Sequence, residues 1–421
     1  PAWSGASWKV SRALQLIDRG YLDDASVDEL AAELDVGPRQ LSRLFQSHLG
    51  ASPVAVAQTR RLHFAKKLLD ETDMPLAEIC FAAGFGSLRR FNDVVRSTYG
   101  RSPRQLRKRP GKASQTDSGD NAITLTLRYR PPFDWPAMLR FLAYRAIPGV
   151  ELVGGEAGEH SYARTFAIDG EPGHLVATFS AREPSLTLTV RHRETRHLYH
   201  IIDRVRSLFD LRADSDAIDQ NLSQDRQLGG LIKAYPGQRV PGCWDGFEIG
   251  VRAILGQQVS VKAAATLVSR VVARHGAPYA TGANASAPAG LSHVFPSAST
   301  LADANLDGLG ITGSRIAAIQ ALARAVASGE LVMDSTVATE TFIERACRIK
   351  GIGEWTAQYM AMRALNDPNA FPHGDLILRR AAASDGGTLT PKQLLAMAEP
   401  WQPWRAYAVL LLWRSYGENL L

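Results

Sequence analysis

Apolar residues in the first hundred positions repeat with the period of a helix, and glycine interrupts them twice. The first run covers residues 27–49 and breaks at Gly37, and the second covers residues 76–99 and breaks at Gly84 and Gly86. Glycine marks turns because it adopts backbone conformations that other residues avoid. The order helix, short turn and helix therefore occurs twice, which predicts two helix-turn-helix units.

After a stretch without any hydrophobic repeat, apolar residues recur at every second position. Residues 110–121 are small and polar, which predicts a flexible linker. Helical runs cover residues 135–146 and 198–208. Strands are predicted where apolar and polar residues alternate, over residues 123–129, 175–179 and 186–190. Strands mixed with helices predict a small antiparallel sheet with helices on one face.

The pattern is helical again from residue 238, apart from a loop rich in small residues near positions 276–300. We therefore predict a multidomain, mainly α protein. Its parts, in chain order, are a double helix-turn-helix domain (residues 1–109), the linker (110–121), a small α+β antiparallel-sheet domain (122–237) and an all-α domain with a helical hairpin (238–421).

The hairpin is predicted at Gly351 and Gly353, which separate two helical runs. We expect a tight turn there, because only glycine takes a positive φ without a steric cost. The N–H groups that open the second helix lack partners, and with the helix dipole they favour an anion such as a DNA phosphate. A glycine pair between helices is, taken alone, more often a packing feature.

Composition narrows the class of protein without identifying it. The 421 residues are enough for about three domains, and a net charge of +6 permits an anionic partner. Cys80, Cys243 and Cys347 are far apart, which argues against a zinc knuckle, an iron–sulfur cluster or a disulfide framework and suits a reducing cytoplasm. We expect no cofactor. No apolar run approaches the roughly 20 residues that span a bilayer, and Pro1 in place of Met fits a fragment of a longer chain.

Basic residues are concentrated in the first third of the chain. Residues 36–69 contain no acid, and residues 89–112 contain nine Lys or Arg beside the single acid Asp93. Basic residues on helical spacing with few acids are typical of proteins that bind nucleic acid. On charge alone, a solvated cationic face is an equally good explanation.

Residues 8–108 resemble the AraC family of transcription regulators, most clearly at 29–31, 41–45, 50–53, 84–85 and 100–103. The resemblance implies that the helices starting near Pro38 and Ser87 enter successive major grooves of double-stranded DNA. It also implies a possible contact with RNA polymerase, and we expect a monomer. The candidates for base and phosphate contacts are Arg39, Gln40, Arg43, Ser87, Arg89, Arg90 and Asn92. Each is more often a phosphate contact than a base reader.

The next two domains resemble the bacterial 3-methyladenine DNA glycosylase II family at residues 131–135, 141–143, 162–164, 239–248 and 251–260. The resemblance implies that Phe141 and Gln257 contribute to a base pocket. It also implies that Gln258 is the wedge inserted beneath an extruded nucleotide. A 3-methyladenine DNA glycosylase II of this family carries an apolar residue at the wedge position. A glutamine there can fill the gap and can also hydrogen-bond the base that has lost its partner.

The hairpin resembles that of the helix–hairpin–helix DNA glycosylases, because Asp375 follows it at the family's spacing. Trp355, Tyr359 and Trp413 match the pocket aromatics. A glycosylase must flip its target base out of the duplex, and electron-rich rings suit a cationic methylpurine. Asp375 would stabilise the oxocarbenium-like sugar or orient water, as carboxylates do in glycoside hydrolysis. A helix N-cap is the structural alternative for Asp375.

The residue two positions after Gly353 distinguishes monofunctional from bifunctional glycosylases. In bifunctional relatives a lysine there forms a Schiff base and cleaves the strand, whereas this chain has Trp355. We therefore expect a monofunctional enzyme that leaves an abasic site. The resemblance further implies DNA contacts at Gly351, Gly353 and Thr356. It also implies a monovalent cation held by the main-chain carbonyls of Cys347, Ile349 and Ile352.

Three hypotheses follow from these resemblances. The leading one is a monofunctional glycosylase that excises 3-methyl and 7-methyl purines, fused to a sequence-specific regulator of the alkylation response. The alternative is a transcription regulator whose glycosylase-like part senses damage without cutting. A third hypothesis keeps the fold but changes the lesion to oxidised guanine. Asp375 with the aromatic set argues against the second hypothesis, and the absent lysine argues against the third.

Overall fold

The computed structural model describes residues 6–107, 122–155, 159–279, 287–383 and 386–417. The predicted linker, residues 110–121, lies outside them. The chain forms two compact units, one comprising Pro1–Thr126 and Thr189–Asp203 and the other Leu127–Leu188 and Arg204–Leu421. No helix among the described residues is long and apolar enough to cross a membrane.

Eight helices precede the linker. They are α1 (Ala6–Asp18), α2 (Tyr21–Asp24), α3 (Val27–Glu33), α4 (Pro38–Leu49), α5 (Pro53–Glu71), α6 (Leu76–Ala82), α7 (Leu88–Tyr99) and α8 (Pro103–Leu106). The pairs α3–α4 and α6–α7 confirm the two predicted helix-turn-helix units. Leu41 and Phe45 on α4, and Phe91 and Val95 on α7, are fully buried one turn apart, so each second helix packs through one apolar face.

A five-stranded sheet follows, with the spatial order β1-β5-β4-β3-β2. Its strands are β1 (Ala122–Arg128), β2 (Glu151–Val153), β3 (Ser161–Ile168), β4 (Glu171–Phe179) and β5 (Ser185–Arg191). β3 pairs antiparallel with both β2 and β4. The sequence predicted β1, β4 and β5 but missed β2 and β3. The first six residues of β3 are all buried and show no alternation of apolar and polar residues.

The remaining helices belong to the second unit, except that residues 198–203 at the start of one of them fall in the first unit. They are α9 (Trp135–Ala143), α10 (Leu198–Leu208), α11 (Ser215–Leu222), α12 (Arg226–Ala234), α13 (Gly246–Leu255), α14 (Val261–His275), α15 (Ala298–Ala302), α16 (Gly313–Ala327), α17 (Thr339–Cys347), α18 (Glu354–Ala364), α19 (Leu376–Ala381), α20 (Pro391–Met397) and α21 (Arg405–Tyr416). Two short strands, β6 (Ala277–Pro278) and β7 (His293–Val294), pair antiparallel. Helix α13 is buried along nearly its whole length and packs on α14, α16 and α18.

The predicted boundary between residues 237 and 238 does not separate two compact units. Arg164 on β3 forms a buried 2.7 Å ion pair with Glu248 on α13, and the buried Arg239 donates hydrogen bonds to the carbonyls of Arg130 and Pro132. These contacts tie the α+β segment to the helices that follow it. The predicted boundaries themselves stay a prediction.

Candidate active site

One face of α18 carries the aromatic residues that the hairpin motif singled out. Trp355 and Tyr359 are one helical turn apart, so their rings stack with centroids 5.8 Å apart and planes 8° from parallel. The ring of Trp413 on α21 lies 6.5 Å from that of Tyr359, tilted by 45°. Three rings from two helices therefore form one continuous aromatic surface.

Asp375 stands beside this surface at the start of α19. Its Oδ2 accepts a 2.9 Å hydrogen bond from the indole Nε1 of Trp355. Its Oδ1 accepts from the backbone N–H of Leu378 at 2.7 Å and from Trp413 Nε1 at 3.1 Å. Asp375 is thus the N-cap of α19 and also faces the aromatic residues. The N-cap interpretation is confirmed, and the catalytic role of Asp375 stays a prediction.

A cavity of about 320 Å³ opens at this place. Five predicted residues line it, namely Phe141, Trp355, Tyr359, Asp375 and Trp413. Phe141 comes from α9 in the α+β segment, and the other four come from the helical segment. A concave, mostly apolar pocket with a few convergent polar groups is the usual form of a ligand site.

Gln257 is not among the described residues that line the cavity, and its assignment to the base pocket stays a prediction. Its side-chain Nε2 donates to the carbonyl of Gly351 at 2.9 Å and to Thr356 Oγ1 at 3.2 Å. Both acceptors belong to the hairpin, so the side chain of Gln257 points towards it. Gln257 therefore connects the loop between α13 and α14 to the hairpin.

Gln258, the predicted wedge, is exposed in that loop with a φ of 55°. A left-handed conformation is costly for a residue other than glycine and persists only where the surroundings impose it. Arg315, in the first turn of α16, donates a hydrogen bond to the carbonyl of Gln257. Sequence reasoning missed Arg315, because nothing in its local pattern shows that α16 begins beside this loop.

The hairpin turn differs in one detail from the prediction. Gly351 has a φ of 98°, but Gly353 has a φ of −93° and a ψ of 174°, which any residue can adopt. Gly351 also sits against α16, where an added Cβ would come within 2.8 Å of the Ala318 Cβ. No side chain caps α18, so its first N–H groups stay open to an anion. Thr356 is only 3% exposed and its Oγ1 accepts a hydrogen bond from Gln257, and its contact with DNA stays a prediction.

The proposed cation site involves backbone atoms. The carbonyl of Ile349 accepts a 3.0 Å bond from the N–H of Ile352, which leaves it one lone pair for a cation. Binding of a monovalent cation by the carbonyls of Cys347, Ile349 and Ile352 stays a prediction. Among the described residues, no group of three or more His, Cys, Asp or Glu could hold a metal ion.

Four charged residues, largely buried, also line the cavity. Glu248 accepts from Arg164 and Arg252 at 2.7 Å each, and Arg252 also pairs with Glu151. Burial alone would raise the pKa of Glu151, but Arg252, Arg164 and the Tyr162 hydroxyl outweigh it and lower that pKa. The four charges neutralise one another. Sequence analysis assigned them no role, because Arg164 and Glu248 are 84 positions apart.

The candidates for promoter contacts lie on the second helix of each helix-turn-helix unit or at its start. All seven are exposed: Arg39, Gln40, Arg43, Ser87, Arg89, Arg90 and Asn92. Ser87 also caps α7, since its Oγ accepts from the N–H of Arg90 at 3.3 Å. Their exposure leaves these side chains available to DNA.

Family models match three consecutive parts of the chain. A helix-turn-helix domain matches residues 30–109, the AlkA N-terminal domain residues 124–245, and the HhH-GPD superfamily of base excision DNA repair proteins residues 251–406. Among solved structures, a 3-methyladenine DNA-glycosylase from Archaeoglobus fulgidus aligns with a TM-score of 0.59 at 21% identity, over 69% of this chain and 97% of that one. An 8-oxoguanine glycosylase/lyase from Clostridium acetobutylicum aligns with a TM-score of 0.54 at 14% identity, over 71% and 96%. These two show a shared fold.

Two relatives extend the match in sequence. A Mycobacterium tuberculosis protein named probable bifunctional transcriptional activator/DNA repair enzyme AlkA is 37% identical over 416 residues, which is 99% of this chain and 82% of the relative. DNA-3-methyladenine glycosylase 2 of Escherichia coli is 34% identical over 295 residues, 69% of this chain and 97% of the relative. The chain therefore belongs to the AlkA family, in the form that joins a helix-turn-helix regulator to a helix–hairpin–helix DNA glycosylase.

Proposed function

We propose that the glycosylase unit flips 3-methyl and 7-methyl purines out of duplex DNA and hydrolyses their N-glycosidic bond. The observation that carries this proposal is Asp375, held by two indoles at the mouth of an aromatic-lined cavity. The helix-turn-helix units bind promoter DNA and regulate the response to alkylation. The family relationship supports both halves of this function.

The chemistry suits a single carboxylate. A purine methylated at N3 or N7 carries a positive charge, so it leaves as a neutral base and needs no general acid. What the transition state needs is compensation for the positive charge that develops on the sugar. Asp375 supplies a negative charge whose two oxygens are fixed by Trp355, Trp413 and Leu378. Donors that hold a charged group in place remove the cost of reorienting it during reaction.

The flipped base is received by the aromatic rings. Unstacking a base costs a few kcal/mol, and stacking on aromatic side chains returns a comparable amount. The stacked pair Trp355 and Tyr359, with Trp413 beside it, offers such a surface. Gln258 is the proposed wedge that fills the gap left in the duplex. The open N–H groups at the start of α18, near Gly351 and Gly353, are the proposed grip on a phosphate.

Strand cleavage is not part of the proposed reaction. A glycosylase/lyase needs an amine that can form a Schiff base with the sugar. No lysine is among the described residues that line the cavity, and Trp355 occupies the position where bifunctional relatives carry one. The proposed product is therefore an intact strand with an abasic site.

The finer points of the regulator stay predictions. We propose that Arg39, Gln40 and Arg43 on α4 contact one major groove. Ser87 at the start of α7, with Arg89, Arg90 and Asn92 on that helix, would contact the next one. Contact with RNA polymerase, a monomeric state and a location in the cytoplasm are proposed with it.

The alternative is a regulator that binds damage without cutting. A matched experiment separates the two. Methylated duplex DNA is incubated with the protein, and released bases are quantified by chromatography and mass spectrometry. Free 3-methyladenine and 7-methylguanine with an equal number of abasic sites support excision. Tight binding to the lesion without released base would favour the alternative.

A further inference from the structure

The face of α18 that carries Trp355 and Tyr359 continues to Arg363. Residues four positions apart on a helix are about 6 Å apart along its axis, so Arg363 lies one turn beyond Tyr359, on the side away from Trp355. Arg363 lines the same cavity and is only 4% exposed. The cavity therefore continues past the aromatic surface and ends at a buried cation.

Arg363 has more hydrogen-bond donors than partners. A guanidinium carries five N–H donors. One nitrogen donates to Tyr359 Oη at 2.7 Å and another to the carbonyl of Gly242 at 2.9 Å. Its Nε is buried and has no hydrogen-bond partner, and Arg363 forms no ion pair with a described residue. A buried charge without a counter-ion is costly, which favours a ligand that supplies one.

The neighbouring carboxylates do not supply that counter-ion. Glu151 and Glu248, which also line the cavity, form their ion pairs with Arg164 and Arg252. Arg363 thus keeps a positive charge that no carboxylate of the described residues pairs with, while Asp375 carries a negative charge beside the aromatic rings.

We propose that the inner end of the cavity binds the carboxylate arm of an alkylated purine, with Arg363 as its principal contact. The substrate class is a purine that carries a carboxymethyl group on a ring nitrogen. Such a base is cationic in its ring and anionic at its arm, and this order of charges complements Asp375 at one end and Arg363 at the other. A methyl group offers Arg363 no hydrogen-bond acceptor, so the two lesions differ in their use of this residue. The inference rests on the proposed excision of methylpurines and extends it to a second substrate.

The test compares two lesions made on the same duplex DNA. One sample is treated with dimethyl sulfate and the other with diazoacetate, a carboxymethylating agent. Released 7-methylguanine and 7-carboxymethylguanine are measured under single-turnover conditions, and the release without protein is subtracted. The parent protein should release both bases. The substitution Arg363→Met, which keeps the length of the side chain, should slow release of the carboxymethyl base by at least about tenfold, the value of one charge-assisted hydrogen bond. Release of the methyl base should be slowed by a clearly smaller factor, because that base depends on Arg363 only through the hydrogen bond to Tyr359.

A second variant keeps the test decisive if the first is destabilised. Arg363→Lys retains the charge but loses the planar fork, so it should recover part of the lost carboxymethyl release. An equal loss for both lesions in both variants would show a purely structural role and overturn the inference. A parent protein that releases 7-methylguanine but not 7-carboxymethylguanine would overturn the inference and leave the proposed function intact. Release of neither base would overturn both.

Discussion

The indole nitrogen of Trp355 lies 2.9 Å from Oδ2 of Asp375 and donates a hydrogen bond to it. The residue that replaces the lysine of bifunctional relatives thus orients the carboxylate. The same indole stacks on Tyr359. The proposed function therefore gives Trp355 two separable roles, one in positioning Asp375 and one in receiving the base.

These two functions of Trp355 can be separated by substitution. Trp355→Phe keeps a ring but removes the N–H, so Oδ2 of Asp375 loses a donor. We expect the single-turnover rate of 7-methylguanine release to fall by about tenfold, because a hydrogen bond to a charged group contributes about 1.5–3 kcal/mol. Trp355→Ala should lower the rate further. Trp404→Phe, which changes an indole that does not line the cavity, is the matched control and should leave the rate unchanged.

The loop that carries Gln258 is predicted to depend on Arg315. Removing this side chain in Arg315→Ala frees the carbonyl of Gln257 and with it the left-handed backbone of Gln258. The excision rate from a fully paired duplex should fall by about tenfold, since strain at one residue is about 1–3 kcal/mol. The rate from a lesion placed in an unpaired bulge should change little, because there the base is already unstacked.

Arg324→Ala provides the control for that experiment. Arg324 is on the same helix, α16, and donates to the carbonyl of Ala302 at 2.8 Å, far along the helix from the wedge loop. Arg324→Ala should lower the excision rate from the paired and the bulged substrate by the same small factor. A similar loss on both substrates in Arg315→Ala would contradict a role in base flipping.

The regulator can be tested through the salt dependence of its binding. Arg39 and Arg89 are exposed on the second helices of the two units. If each contacts a phosphate, Arg39→Ala and Arg89→Ala should each lower the slope of log K against log salt by about one. The measurement is fluorescence anisotropy with a promoter duplex at several salt concentrations. Arg39→Lys keeps the charge and should keep the slope, and an unchanged slope in the alanine variants would remove them from the interface.

Acid should destabilise the second unit through His174. Burial lowers the pKa of His174 to about 4 from its ordinary 6.5, and its Nδ1 is hydrogen-bonded to Tyr279 at 2.8 Å. The unfolded chain then binds the proton more readily between pH 4 and 6.5, so stability is present above this window and is lost as pH falls through it. Over that range His174→Gln should reduce the pH dependence of the unfolding free energy by at least about 1 kcal/mol.

Asp210 changes the stability of the second unit with pH in the opposite direction to His174. Burial raises its pKa to about 6 from 3.8, although Tyr407 donates a 2.8 Å hydrogen bond to it. A raised carboxyl pKa contributes stability below its ordinary value that is lost as pH rises to about 6. The parent curve therefore contains opposed contributions, and the difference between the parent and His174→Gln isolates that of the histidine. An identical pH profile in the two proteins would contradict the assignment.

The sequence predicted the features that local rules encode. Trp355 and Tyr359 share a helix face by their spacing, and Gly351 fixes the turn before them by its backbone freedom. Asp375 lies within 25 positions of Gly351, so the same stretch of sequence pointed to both the hairpin and the candidate carboxylate. Both helix-turn-helix units also follow from local periodicity.

What the sequence could not predict depends on contacts between distant residues. The ion pair of Arg164 with Glu248 joins positions 84 apart, and the bond from Arg315 to Gln257 joins positions 58 apart. The family resemblance assigned Gln257 to the pocket, and no local pattern shows that the acceptors of its side chain lie in the hairpin. Arg363 received no role for the same reason, since its depth in the cavity depends on the packing of α9 and α18.

The central claim is that the negative charge of Asp375 promotes cleavage of the glycosidic bond. Asp375→Asn tests it with little change in shape, because asparagine is as good an N-cap as aspartate and α19 keeps its first hydrogen bond. Asp375→Ala loses the cap as well and should lower the unfolding free energy by about 1 kcal/mol relative to Asp375→Asn. This pair separates the structural role of the residue from its chemistry.

The most direct measurement is the single-turnover release of 7-methylguanine from methylated duplex DNA by the parent and by Asp375→Asn, with lesion binding and thermal stability measured in parallel. We expect the variant to fold and to bind the lesion. We expect its rate of release to fall by at least about a hundredfold, the scale of losing one preorganised electrostatic contact in a transition state. A folded Asp375→Asn protein that releases the base within about threefold of the parent rate would contradict the account.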